Sequence, residues 1–265
     1  MKFIIFPHAG GTAAVYRELV NQLSGQLNVI VYEYDGHGKK RRMPFYKDMR
    51  SAVMQITAEL MTDYLCDREP FCLLGHSMGA YIALEAAYRM QQFYARQPEK
   101  LFISGQSSPV HIQNEYFDAD EDCFRKYILS LGGIDPILIH DERTMEFLFA
   151  PVRQDMKMLA QYHPQSRNVR LQSDIALMYG KDDAEIIPEE LDGWNAVTAG
   201  EVTVQAFEGN HFYLLQGSNA AKYILNQLKE KAGTYDESEK NVLGSECAMA
   251  DHTGKGNLDR ESRIR

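Results

Sequence analysis

The sequence predicts an α/β protein with a mostly parallel central sheet and helices on both faces. Three observations carry this reading. Short apolar runs rich in β-branched and aromatic residues alternate with longer stretches of helical periodicity. Those runs are continuously apolar, as strands buried on both faces are. The chain has 265 residues, 45% hydrophobic and 25% charged, enough for one large domain with a well-buried core.

The elements follow in order. Residues 2–6 form an apolar run that stops at Pro7, a first strand. Residues 12–23 place Val15, Leu19, Val20 and Leu23 at helical spacing. Residues 28–34, rich in Val, Ile and Tyr, read as a second strand. Residues 48–65 carry Met49, Val53, Ile56, Leu60, Met61 and Tyr64 on one helical stripe. Residues 71–74 are a strand and 78–91 a helix; 101–104, 175–179 and 202–207 supply three further strands, and 218–229 a closing helix. Between Ser104 and Asp174 the alternation lapses into helical stretches over 120–131, 141–149 and 152–162. That insertion, about 110–170, is expected to be a helical lid over the site within a domain spanning 1–231, although helices there can equally pack on the sheet. Residues 232–265 are polar and lack apolar periodicity, the pattern of a disordered tail.

Composition narrows the function. A net charge of -9 argues against a nucleic-acid partner and against a basic membrane-surface patch. The four cysteines (Cys66, Cys72, Cys123 and Cys247) have neither zinc-site nor disulfide-framework spacing, so no metal site is expected. Cys72, inside an apolar run, is expected to be a buried thiol. No apolar stretch has the length of a signal peptide core or a membrane span, so a cytoplasmic protein is expected. With no heptad pattern, a monomer is expected.

The chemistry centres on Gly75-His76-Ser77-Met78-Gly79, a G-x-S-x-G between a strand and a helix. Such a serine sits on a sharp turn with its hydroxyl exposed, a nucleophile in waiting; the plainer alternative is a serine that only caps the helix. A neutral serine needs a base. Of eight histidines, His211 follows the last predicted strand, at the sheet edge where ligands meet α/β proteins. The orienting acid is expected on the loop after strand 175–179, as Asp182 or Asp183. The order serine, acid, histidine is that of α/β-hydrolases, so that fold is expected. Oxyanion donors are expected from the backbone N–H groups of Met78, after the nucleophile, and of Ala9, in the loop Pro7-His8-Ala9-Gly10-Gly11. His8, Gly10 and His76 are the expected substrate-contacting residues around them.

These segments resemble the signatures of type II thioesterases, the free-standing editing enzymes of non-ribosomal peptide and polyketide synthesis. The resemblance rests on residues 7–11, 75–80 and Gly209-Asn210-His211-Phe212-Tyr213-Leu214-Leu215. It is supported by Ser104-Gly105-Gln106-Ser107-Ser108-Pro109, similar to an S-G-x-x-x-P stretch, and by Pro151-Val152-Arg153-Gln154-Asp155, similar to P-x-x-R-x-D. Gly180-Lys181-Asp182-Asp183 with Pro188-Glu189-Glu190-Leu191 and Trp194 resembles the family's acid loop, and aligning it on Pro188 selects Asp183 as the catalytic acid. The resemblance covers about residues 1–230. It implies hydrolysis of acyl or aminoacyl thioesters on the phosphopantetheine arm of acyl- or peptidyl-carrier domains, with no cofactor beyond the arm the substrate carries. One departure stands out. Where the family often has P-G-R-G, this chain has Asp35-Gly36-His37-Gly38 followed by Lys39-Lys40-Arg41-Arg42. Arg41 or Arg42 is the expected substitute for the missing arginine, and the basic run reads as a solvated loop or a landing patch for an acidic carrier. A general carboxylesterase or acyltransferase on the same scaffold, and a non-catalytic interaction module, are the rival readings.

Overall fold

The computed structural model describes residues 1–111, 120–132, 142–164 and 170–229. The expected tail, 232–265, lies outside the described residues. Six strands form one sheet: β1 Lys2–Phe6, β2 Asn28–Val31, β3 Phe71–His76, β4 Lys100–Ser104, β5 Asp174–Gly180 and β6 Val202–Phe207. Their order is β2-β1-β3-β4-β5-β6 and every neighbouring pair is parallel. β1 is flanked by strands that precede and follow the first reversal of direction across the sheet, and at that switch point the carboxyl ends of β1 and β3 stand side by side (Phe6 beside Gly75).

Alternation along the strands explains the two covered faces. Ile4, Phe6, Leu73, Leu101, Ile103, Ile175 and Leu177 join one core with the buried stripes of α2 Met49–Glu59 and α3 Met78–Tyr94. Phe3, Ile5 and Phe102 point the other way, yet are also 0% exposed, so both faces are covered. Cys72 is buried in the same sheet. Trp194, in a 3-10 turn over Pro188–Ala196, is fully buried against the α2–α3 face.

The helices largely follow the periodicity. α1 runs over Arg17–Leu23, shorter than its apolar stripe, because residues 13–16 form turns first. α4 covers Glu121–Ser130 and α5 covers Glu142–Ala160. The sequence divides α5 in two at Pro151; the structure carries one helix through it. Proline there removes one N–H and crowds the carbonyl a turn earlier. That carbonyl belongs to Phe147, whose side chain is 74% exposed, so the disturbed turn lies on the solvent side of the helix. Residues 219–229 are helical, as expected. Contacts divide the chain into a unit Met1–Lys222, which holds the whole sheet, and a second unit beginning at Tyr223. No helix of the described residues is long and apolar enough to cross a membrane.

α2 begins with a reciprocal cap: Asp48 accepts from the Ser51 N–H at 2.7 Å, while the Asp48 N–H donates to the Ser51 hydroxyl at 3.2 Å. Asp48→Ala is expected to lower stability by about 1 kcal/mol, read as a lower urea midpoint at unchanged slope.

Candidate active site

β3 brings the chain to Ser77 and α3 leads it away. At the turn between them Ser77 takes φ 55° and ψ −123°, a conformation that side chains other than glycine rarely adopt. Two contacts hold it there. The Ser77 N–H donates to the Ser104 carbonyl of β4 at 2.8 Å. The turn is also squeezed against its neighbours: a Cβ on Gly75 would lie 2.2 Å from the Gly79 carbonyl oxygen, and one on Gly79 would lie 2.1 Å from the Phe6 carbonyl oxygen. Ser77 occupies the N-cap position of α3, yet its side chain makes no capping hydrogen bond. The helix therefore leaves the hydroxyl uncommitted, and the capping alternative does not describe this serine.

His211 lies past the end of β6, and Asp183 on the turn after β5. The His211 Nδ1 is 2.8 Å from Asp183 Oδ2, with the two side chains 4% and 0% exposed. A carboxylate only accepts, so Nδ1 carries the proton and Nε2 is left as the basic nitrogen. Of the two candidate acids, Asp183 meets the imidazole, whereas Asp182 is exposed. The imidazole also lies against the corner that holds Ser77: a Cβ on Gly105 would be 3.3 Å from His211 Cε1. Serine and histidine thus flank the 104–105 corner, although no hydrogen bond joins the Ser77 hydroxyl to His211. Bonds of this kind commonly tighten only when substrate is bound.

In the stretch from Pro7 to Gly11, one backbone donor has no partner among the described residues. The His8 N–H donates to the Tyr16 hydroxyl at 3.1 Å, the Gly10 N–H to Asp155 Oδ2 at 2.8 Å and the Gly11 N–H to the His8 carbonyl at 2.8 Å. The Ala9 N–H, between them, donates to no described residue. Met78 opens α3, so its N–H has no carbonyl a turn earlier within the helix. Gly10 lines the same loop, but its N–H is already used by Asp155.

Three imidazoles gather here. His76 packs 5.0 Å from the His211 ring and 5.7 Å from His8, ring centre to ring centre. Its Nδ1 lies 3.0 Å from the Ser104 hydroxyl, which in turn meets the Tyr213 hydroxyl at 2.7 Å. His76 has no exposed surface, and burial, then the neighbouring His211 and His8, hold its pKa well below the ordinary histidine value. Desolvation, then the charges of His211 and His37, bring His8 down to about 3. Both rings therefore stay neutral beside His211 at physiological pH, and neither competes with it for a proton. Phe212 closes the cluster edge-on, 4.9 Å from His8 and 5.2 Å from His211.

The basic segment divides. Lys40 is tied to Glu59 at 2.7 Å, whereas Lys39, Arg41 and Arg42 are exposed. His37, which stands at the arginine's position in that segment, is instead 2% exposed, with Nε2 2.9 Å from Asp155 Oδ2. Sequence reasoning passed over His37 and Asp155 as functional residues. Their only signal was their position in the D-G-H-G and P-x-x-R-x-D segments. Among the described residues no group of three or more His, Cys, Asp or Glu is arranged to hold a metal ion.

Gly79→Ala forces a methyl group onto backbone atoms that cannot step aside. It is expected to cost more than about 3 kcal/mol, seen as a large fall in thermal midpoint or loss of soluble protein.

The thioesterase domain family matches residues 2–231. The medium-chain S-acyl fatty acid synthase thioesterase of Anas platyrhynchos is 28% identical over 231 residues, covering 84% of this chain and 90% of that protein. The probable cadicidin biosynthesis thioesterase of Streptomyces griseus is 29% identical over 229 residues, which are 86% of this chain but 62% of that protein, less than two thirds of its length. Among solved structures, RedJ, the thioesterase from the prodiginine biosynthetic pathway in Streptomyces coelicolor, superposes with a TM-score of 0.77 at 25% identity, over 85% of this chain and 84% of that one. The α/β-hydrolase architecture and the thioesterase resemblance read from the motifs are both borne out. The chain belongs to the thioesterase family, and it is an enzyme of that class.

Proposed function

We propose that the protein is a type II editing thioesterase that hydrolyses acyl and aminoacyl thioesters from the phosphopantetheine arm of carrier domains. The observation that carries this reading is the buried Asp183–His211 pair, 2.8 Å apart, beside a strained Ser77 whose hydroxyl no helix cap consumes. The named relatives are consistent with this substrate class: one is a fatty acid synthase thioesterase, another a probable cadicidin biosynthesis thioesterase.

In the proposed cycle the Ser77 hydroxyl attacks the thioester carbonyl and His211 Nε2 takes its proton. Asp183 holds the tautomer and stabilises the imidazolium. The Ala9 and Met78 N–H groups receive the oxyanion, two preset donors of which each contributes about 10²–10³ in rate. The C–S bond breaks, and His211 gives its proton to the departing thiolate, which leaves as the thiol. Water, deprotonated by His211, attacks the acyl-serine; the acid leaves and Ser77 regains its proton. A thiolate is a better leaving group than an alkoxide, so a modest pocket suffices. His8 and His76 frame His211, and the helices of the 110–170 block are read as a lid over the acyl chain. No metal or redox group enters any step, and the phosphopantetheine arrives on the substrate. The catalytic domain is read as 1–231 and the carrier as its partner.

Ser77→Ala is expected to abolish hydrolysis of acyl-loaded carrier protein while leaving circular dichroism and the melting curve intact. A fluorophosphonate should label the parent enzyme at Ser77 and leave the variant unlabelled. Full turnover by the purified variant would overturn the mechanism. Asp183→Asn should lower kcat by about 10³–10⁴, measured at saturating thioester. Comparison of loaded carriers with simple alkyl esters separates the proposal from a general esterase, which would prefer neither.

A further inference from the structure

α5 reaches the loop that carries Ala9 through one carboxylate. Asp155 is 4% exposed; its Oδ2 accepts the Gly10 N–H at 2.8 Å and lies 2.9 Å from His37 Nε2. Val152, one turn earlier on α5, presses on the same glycine: a Cβ on Gly10 would lie 2.3 Å from Val152 Cγ2. The loop is thus fixed from α5 by one steric contact and one hydrogen bond, both at the residue after Ala9. A buried carboxylate needs a cation or several donors to remain charged. Among the described residues no lysine or arginine pairs with Asp155, and the nearby Arg153 is turned to Glu121 instead; the cation facing Asp155 among them is His37.

The protons on His37 follow from its partners. Nδ1 lies 3.0 Å from the Asp35 carbonyl oxygen, which only accepts. Nε2 faces a carboxylate, which also only accepts. Both nitrogens therefore carry hydrogen, because a neutral ring would set a lone pair against one of these oxygens. The groups around the ring are Asp155 from α5, Glu33, Tyr34 and the Asp35 carbonyl from its own segment, Phe45 beside it, and His8 from the loop after β1. Desolvation pulls the His37 pKa down, but the hydrogen bond and charge of Asp155, helped by Asp35 and Glu33, outweigh it and hold the ring above the ordinary histidine value. With a raised pKa, the pair is complete below the ordinary histidine pKa and is lost as pH rises through the higher folded value.

We propose that Asp155 and His37 are positioning residues for thioester cleavage: protonated His37 holds the Asp155 carboxylate, and that carboxylate holds the Gly10 peptide so that the Ala9 N–H faces the reacting carbonyl. This rests on the reading of Ala9 as an oxyanion donor. Loss of the His37 proton releases Asp155 from its partner, the loop loosens, and turnover falls at alkaline pH.

The test is the pH profile of kcat and KM for a short acyl thioester of N-acetylcysteamine, with circular dichroism at each pH to restrict the comparison to folded enzyme. The parent enzyme should lose about tenfold in kcat on the alkaline side, a partial loss of one oxyanion donor. His37→Arg, a permanent cation, should remove the alkaline decline. His37→Gln should be about tenfold slower in kcat at every pH, with KM changed less than about twofold. Asp155→Asn keeps an acceptor for Gly10 without a charge to balance, and its alkaline decline should also vanish. An alkaline limb unchanged in His37→Arg or Asp155→Asn overturns the inference, as does parent-like kcat in His37→Gln. These outcomes are separable from failure of the catalytic reading, which would show instead as turnover surviving in Ser77→Ala.

Discussion

The site depends on how closely three backbone segments approach at the carboxyl end of the sheet. Gly75 and Gly79 let β3, the start of α3 and the end of β1 meet at distances that admit no side chain. That contact, with the Ser77–Ser104 backbone bond, forces the serine into its strained conformation. Strain of this kind, typically about 1–3 kcal/mol, persists only where surrounding structure over-determines it. Here a parallel sheet and a seventeen-residue helix do so. The same approach sets the start of the β1 loop beside the first turn of α3, where a Cβ on Gly79 would lie 2.6 Å from the Pro7 carbonyl oxygen.

A second theme is the handling of charge in a buried pocket. Four histidines lie within or beside it. Two of them, His8 and His76, are kept neutral by desolvation and then by the nearby His211. The other two each face one carboxylate, His211 with Asp183 and His37 with Asp155. The pairs differ in their second nitrogen. His37 donates from Nδ1 to the Asp35 carbonyl and sets Nε2 2.9 Å from the Asp155 carboxylate, an arrangement that favours its charged form. His211 donates on one side only, which leaves the other nitrogen available for proton transfer. Identical residue types acquire different duties from the acceptors around them.

Much of this was legible in the chain. The six strands announce themselves as short apolar runs, and the α2 and α3 stripes match their buried faces. Departures occur where local pattern is weak against tertiary context. β2 ends at Val31 although Tyr32 and Tyr34 continue the apolar pattern, because those rings turn into the α2–α3 core while the backbone leaves the sheet. Pro151 reads as a break in isolation, but an amphipathic face buried on both sides of it carries the helix across. In the site, the G-x-S-x-G, the loop after β1 and the histidine after β6 each had a local signature. His37 and Asp155 each stood in a recognisable segment, but nothing local paired them, since they lie 118 residues apart, in a polar loop and a helix.

The amino-acid order by itself determined the parallel α/β frame, the serine turn and the succession serine, acid, histidine, because periodicity and glycine placement are local properties that any fold must respect. The motifs and their resemblance already pointed to Asp183 and Ala9; only the tertiary structure decided the contacts each of them makes and which group faces Asp155. Those outcomes depend on burial and on distances of about 3 Å between segments far apart in the chain, a scale at which one residue of register separates a buried ion pair from a solvated side chain.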